Sequence, residues 1–172
     1  MSTVARHAGP RVVVMGVAGC GKSTVGSLLA RLLGVPFVDA DGLHPPANVA
    51  RMSAGVPLTD ADRAPWLASV AAEVAAAPTG AVVACSALRR RYRDALRAGA
   101  PGTVFVHLTG TREVLAARIG ARIDHFMPPA LLDSQLATLE PLDDDEPGWV
   151  LNITWPAEEL AATAAERLLR AA

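Results

Sequence analysis

Lysine is nearly absent from this sequence: Lys22 is the only one in 172 residues, and the other fifteen basic side chains are all arginine. Cysteine is as scarce, and Cys20 and Cys85 are too few and too plainly spaced for a zinc site or a disulfide framework, which fits a reducing compartment. Aromatic residues make up only 4% of a chain whose apolar content is mostly alanine and valine. No apolar run reaches the ~18 residues of a membrane span. The opening MSTVARHAGPR carries Arg6 and Arg11 but no apolar core of a signal peptide, so a soluble, cytoplasmic, unprocessed chain without membrane contact is expected. The formal net charge of −1 argues against a dedicated nucleic-acid binder. This length suits one compact α/β domain over residues 1–172, able to bury roughly two-thirds of its unfolded surface.

Short β-branched runs (RVVVM, VPFVDA, AVVACS, TVFVHL, WVLNIT) alternate with longer stretches rich in alanine and leucine. This alternation is that of repeated βαβ units, and the uninterrupted apolar character of VVVM and AVVAC predicts strands covered on both faces of a parallel sheet. Val25, Leu28, Leu29 and Leu32 are expected on one face of a first helix, and Trp66, Val70 and Val74 on the core face of another. Thr59 with Asp62 reads as a capping box, and Gly34 as a C-terminal glycine cap. The run Asp143, Asp144, Asp145 and Glu146 reads as a solvated loop before the last strand rather than a metal site.

The lone lysine lies in GVAGCGKST, where Gly16, Gly21, Lys22 and Ser23 complete the pattern G-x-x-x-x-G-K-[ST] between a predicted strand and a predicted helix. Glycines such as Gly16, Gly19 and Gly21 let the backbone curl, so that N–H groups, that of Cys20 among them, point inward beside the positive end of the helix and form a phosphate cradle. An ammonium on a flexible stem reaches the β- and γ-phosphates as a point charge, which a planar guanidinium does less well. Ser23 is the expected Mg²⁺ ligand and Thr24 the support for an α-phosphate.

In VPFVDAD, Asp39 and Asp41 fall where the second strand runs out, the edge at which open α/β sheets bind ligands. One carboxylate there can face a metal and the other orient a hydroxyl acceptor and take its proton; alternatively, both cap the turn. Ser86 and Arg89 follow the third strand at the same edge. Arg89 and Arg93 share a helical face and are candidates for a substrate anion, whereas Arg90, Arg91 and Arg97 read as a solvated basic face with Asp94 nearby. Tyr92 is the single aromatic in that stretch, so the stacking platform of a single-strand binder is missing.

The segments DADGLHPPANVARMSAGVPLTDADRAPWL, ACSALRRRYRDALRAG and HFMPPALLDSQLATLEPL resemble the gluconokinases, and the resemblance extends over nearly the whole chain. His44-Pro45 with Asn48 and Met52, then Pro57-Leu58, Asp60, Asp62-Arg63 and Pro65-Trp66-Leu67, carry it more specifically than the phosphate loop does. The resemblance implies a three-layer P-loop kinase fold with a parallel sheet of about five strands flanked by helices, a lid near residues 118–129, and transfer of phosphate from ATP with Mg²⁺ to the 6-hydroxyl of D-gluconate. It also implies a homodimer, Asp39 toward metal, Asp41 toward the substrate hydroxyl, and Arg118 and Arg122 as lid arginines closing on ATP, Arg122 in a catalytic role. A linear polyol with a carboxylate calls for His44 and Asn48 at its hydroxyls and a fork from Arg51 or Arg63 at its acid end. His44 alone also reads as a helix cap, Asp60, Asp62 and Arg63 as local helix-start pairs, and Trp66 as core. The helix bearing Arg118 is expected to begin at Thr109 or Thr111.

The chain departs from the family pattern at Asp124, where glycine is usual before His125-Phe126. Other readings are a shikimate-kinase-like enzyme, though ACSAL stands where that family has a glycine triplet, and a non-catalytic nucleotide-responsive protein with its lid disabled by Asp124. A GTPase is excluded, because an N-K-x-D box cannot exist in a chain whose only lysine is Lys22.

Overall fold

The computed structural model describes residues 9–121 and 129–172. Strands β1 (Arg11–Met15), β2 (Phe37–Asp39), β3 (Ala81–Ala84), β4 (Val104–Thr109) and β5 (Gly148–Asn152) pair in parallel in the order β2-β3-β1-β4-β5. Each apolar run in the sequence becomes a strand, because both sheet faces are covered: Val12 and Val14 enter one core, Val13 and Met15 the other.

Among the described residues, seven α-helices supply the covering layers: α1 (Lys22–Leu33), α2 (Pro46–Ser53), α3 (Asp60–Ala76), α4 (Arg90–Gly99), α5 (Arg112–Gly120), α6 (Pro129–Thr138) and α7 (Ala157–Ala171). Val25 and Leu29 of α1, Leu115 of α5, Leu132 of α6 and Leu160 of α7 build one core; Trp66, Val70 and Val74 of α3 with Tyr92 and Leu96 of α4 build the other. The caps are those expected. Thr59 Oγ1 accepts from Asp62 N at 3.1 Å, Asp62 Oδ2 accepts from Thr59 N at 2.9 Å, and Gly34 closes α1 in the left-handed region at φ 68°. Thr111, rather than Thr109, caps α5; Thr109 is the last residue of β4.

Leu32 departs from the expected face of α1 and is 58% exposed. The buried stripe runs instead through Val25, Gly26, Leu29 and Ala30, because two small residues let the helix sink toward the sheet: a Cβ on Gly26 would lie 2.8 Å from the Phe37 ring.

The acidic run and the arginine cluster also differ from expectation. Arg93 and Glu146 are fully buried at their side chains and form a bidentate pair, with Nε–Oε1 at 2.7 Å and Nη2–Oε2 at 3.0 Å. Arg93 also donates to the carbonyls of Ala87 and Pro141, at 2.9 and 3.3 Å, while Glu146 accepts from Asp143 N at 2.8 Å. Burial alone would raise the Glu146 carboxyl, but the Arg93 guanidinium and the Asp143 N–H hold it below its usual range. Arg93 is therefore a strut between α4 and the loop before β5, out of reach of a substrate anion. Arg90 pairs with Asp145 and Asp143 of that loop, at 2.6 and 2.9 Å, and Arg91 with Asp60 at 2.6 Å. The loop is thus bound to α4 at two of its exposed carboxylates and through the buried Glu146.

His107, in β4, lies 4% exposed with no partner for Nδ1 among the described residues. Burial, and secondarily the Arg93 charge, lowers its pKa from 6.5 to about 4. The neutral ring is favoured by the fold, so its contribution is complete above the unfolded value and is lost as pH falls through the folded one. Wild-type stability is expected to fall between these values by an extra ~1.4 kcal/mol per pH unit, at most, relative to His107→Leu. Urea denaturation of both proteins at several pH values measures this slope; parallel curves would mean that the fold does not oppose protonation of the imidazole.

Candidate active site

At the carboxyl end of β1 the chain turns into α1 where the strand order changes sides, the usual ligand crevice of an open parallel sheet. Gly16 has φ 145°, and a Cβ there would lie 2.7 Å from Leu108 O, so only glycine lets the loop pass this close to β4. Gly21, at φ 93°, turns the chain so that Lys22 is the first residue of α1. The Lys22 ammonium donates to Gly16 O at 3.0 Å and Val17 O at 3.2 Å, curling over its own loop. Ser23 and Thr24 follow, exposed, in the first helical turn. Cys20 is buried, and burial raises its thiol pKa despite Lys22 alongside, so the sulfur stays neutral. The outer side of the loop is packed by α5: a Cβ on Gly19 would lie 2.7 Å from Ile119 Cγ1, and one on Gly21 3.6 Å from Arg118 Nη1. Arg118 donates to Ile153 O just beyond β5, which anchors it beside the loop.

Across the crevice, Asp39 ends β2 and its Oδ1 accepts from Asp41 N at 3.0 Å, opening a 3₁₀ turn over Ala40–Leu43. Asp39 therefore does cap the turn, while both side chains stay exposed at the sheet edge. Lys22, Asp39 and Asp41 converge electrostatically on Cys85 behind β3, whose thiol burial pushes up to about 12, with Lys22 opposing and the two carboxylates adding to the rise.

The turn delivers His44 onto Trp66, ring centroids 4.2 Å apart and planes 14° from parallel. Trp66 is fixed in turn by Nε1 donating to Ala40 O at 2.7 Å, so this core indole is also the floor of the site. Asn48, 4% exposed, spans His44 Nδ1 at 3.3 Å and Asp62 O at 2.9 Å through its amide nitrogen. An amide nitrogen only donates, so Nδ1 is the acceptor and the neutral ring carries its proton on Nε2. Burial lowers the His44 pKa, with nearby Asp41 opposing and Arg63 assisting, which keeps the ring neutral at pH 7. His44 therefore presents a fixed N–H donor beside the Asp41 carboxylate.

Arg63 donates to Leu58 O at 2.7 Å and Tyr92 Oη at 3.2 Å, with its guanidinium carbon 5.4 Å from the Tyr92 ring centroid. Tyr92 Oη donates to Asp60 at 2.6 Å, and this bond, ahead of Arg91, Arg89 and Arg63, holds the Asp60 carboxyl below its usual range. Arg51 stands further out, 3.4 Å from Asp62. Ser86 O accepts from Gly16 N at 3.2 Å, joining the segment after β3 to the phosphate loop. Ala87 next to it has φ 46°, a left-handed backbone that a non-glycine residue adopts at a cost of order 1 kcal/mol and that the Arg93 bond to its carbonyl supports. Arg89 Nε is buried and without a partner among the described residues.

The expected site residues from Gly16 to Thr24, with Asp39, Asp41, His44, Asn48, Arg63, Ser86, Arg89 and Arg118, thus meet along one edge of the sheet, with Arg51 at the rim. Arg122 and Asp124, and with them most of the expected lid, lie outside the described residues. Sequence reasoning missed Trp66 as the support of His44, Tyr92 as the partner of Arg63, and Gln135 of α6, whose Oε1 accepts from Ala18 N at 2.7 Å. None of the three has a local signal, since each partner comes from a distant segment.

A five-stranded parallel sheet with a central β1, a glycine loop opening onto Lys22 and Ser23, and two carboxylates at and just beyond the end of β2, one strand removed from β1, define a P-loop kinase. The shikimate kinase family model matches residues 18–140, in agreement with that class. Within it, the chain belongs to the gluconokinase family. It is 55% identical over 139 residues to the gluconokinase of Gluconobacter oxydans (strain 621H), an alignment covering 79% of this chain and 78% of that one. A crystal structure of a gluconokinase from Sinorhizobium meliloti 1021 superposes with a TM-score of 0.86 at 46% identity, covering 95% of this chain and 93% of that one. The shikimate kinase from Acinetobacter baumannii, solved in complex with shikimate, shares the fold alone, with a TM-score of 0.60 at 17% identity over 95% of this chain and 94% of that one.

Proposed function

We propose that this chain transfers the terminal phosphoryl group of ATP to the 6-hydroxyl of D-gluconate. The observation that carries this reading is the pairing of the phosphate loop with a polyol-type set, Asp41, His44 and Asn48, in a chain 55% identical to a gluconokinase. Lys22 and the loop amides hold the β- and γ-phosphates, with Arg118 adding charge from α5 and Arg122 from the segment that follows. Asp41 orients the acceptor hydroxyl and takes its proton as the new P–O bond forms. His44 Nε2–H donates to a neighbouring hydroxyl, its ring held by Trp66 and Asn48. Arg63 and Arg89 receive the substrate carboxylate, with Arg51 at the rim; the unpartnered Arg89 Nε supports this assignment.

Mg²⁺ fits the donors available. The Ser23 hydroxyl and the Asp39 carboxylate are exposed oxygens of the kind it prefers, and no denser cluster of metal-ligating side chains exists among the described residues. When bound, it would neutralise charge on the β- and γ-phosphate oxygens.

A coupled ADP-release screen against gluconate, shikimate, other aldonic acids and nucleoside monophosphates tests the assignment. Gluconate is expected to give the highest kcat/KM. Equal or better activity on shikimate or a nucleoside monophosphate would overturn it.

A further inference from the structure

The contact between Gln135 and the phosphate loop bears on Lys22 through a single peptide unit. Gln135 Oε1 accepts from Ala18 N at 2.7 Å, and the carbonyl of that same peptide, Val17 O, accepts from Lys22 Nζ at 3.2 Å and from Cys20 N at 3.3 Å. The chain has no cis peptide among its described residues, and in a planar trans unit the C=O and N–H point in opposite directions. Gln135 and Lys22 therefore hold opposite sides of one peptide plane. Were that peptide to turn over, Val17 O would leave the ammonium and Ala18 N would leave the glutamine.

Two contacts of the same helix stand behind Gln135. Leu132 is 1% exposed in the core on the same helix, and Asp133 takes a bidentate fork from Arg112 of α5, at 2.6 and 3.1 Å. The helix is thus fixed both to the core and to α5, the helix that packs against Gly19 and Gly21.

We propose that Gln135 is a positioning residue for Lys22: by capping the Ala18 N–H it sets the direction of the Val17 carbonyl, and so the place from which the ammonium meets the triphosphate. The proposal rests on the loop being the ATP site, but not on gluconate being the acceptor.

Two variants test it. Gln135→Met keeps the side-chain length and removes the acceptor, while Gln135→Glu keeps an acceptor oxygen and adds a charge that salt screens from the triphosphate. Calorimetric titration with Mg-ATP in the absence of gluconate, steady-state kinetics and thermal melting are measured for both. Gln135→Met is expected to weaken ATP binding and lower kcat by about three- to tenfold, the range of one net hydrogen bond, with gluconate KM changed less than about twofold. Gln135→Glu is expected to recover most of that loss at high salt. ATP binding and kcat unchanged in Gln135→Met, or a Gln135→Glu protein as impaired as Gln135→Met at high salt, would overturn the proposal. An equal rise of gluconate and ATP KM together with a lowered melting temperature would also overturn it, since that is the signature of a merely structural contact. If gluconate proves not to be the acceptor, the calorimetric arm still decides the role of Gln135.

Discussion

Lys22→Arg is expected to lower kcat by about 10²–10³-fold, the range for removing one preorganised donor to developing charge, while ATP still binds. The charge is kept and the shape is not. Lys22 Nζ sits 3.0 and 3.2 Å from the carbonyls of Gly16 and Val17 and 3.9 Å from the buried Cys20 sulfur, a space shaped around one compact ammonium. A guanidinium is planar, wider and spreads its charge, so it cannot keep both carbonyl bonds and direct a point charge at the β- and γ-phosphates. Steady-state kinetics and ATP titration on the same preparation separate the two effects. Near-normal turnover by the arginine variant would show that the ammonium is not required and that the scarcity of lysine elsewhere has no bearing on this position.

Asp41→Asn is expected to reduce kcat by about 10²–10⁴-fold, the usual range for general-base assistance, with a smaller change in ATP affinity. The substitution keeps size, and the backbone of residue 41 stays held through its N–H to Asp39 Oδ1 at 3.0 Å, so the turn that delivers His44 survives. What is lost is the proton acceptor beside the substrate hydroxyl. If kcat barely moves while gluconate KM rises steeply, Asp41 binds the sugar acid without acting as its base. The asparagine variant also removes the charge that favours protonation of His44, so that ring becomes harder to protonate and the neutral donor persists to lower pH.

Much of this was legible before any tertiary contact. VVVM and AVVAC read as strands covered on both faces because every residue in them is apolar, and Val12–Met15 of β1 and all of β3 are buried in that way. The phosphate loop was legible because its requirements are local: positive φ at Gly16 and Gly21, a helix immediately after, and a lysine on its first residue. The capping box at Thr59 and Asp62 and the terminal glycine at Gly34 were legible for the same reason, since each bond spans only three or four residues.

Side chains that choose among distant partners were not legible. Arg89 and Arg93 stand one turn apart with the same charge, yet Arg93 is claimed by Glu146, 53 residues away, and Arg89 Nε has no partner among the described residues. Leu32 satisfies the helical spacing but faces solvent, because Gly26 and Ala30 let α1 approach the sheet on another side. Trp66 was expected only to fill the core, and it also fixes the ring of His44 across 22 residues of chain.

By itself, then, the sequence determined the alternation of strands and helices and the phosphate loop, because backbone dihedral preference, burial periodicity and capping act within about one helical turn. The tertiary structure decided which arginine is drawn into a buried pair, how His44 is oriented and protonated, and that Gln135 reaches Ala18 across 117 residues. Those outcomes depend on which segments the sheet order brings together, and a side chain's choice between solvent and a buried partner is made only after the chain has packed.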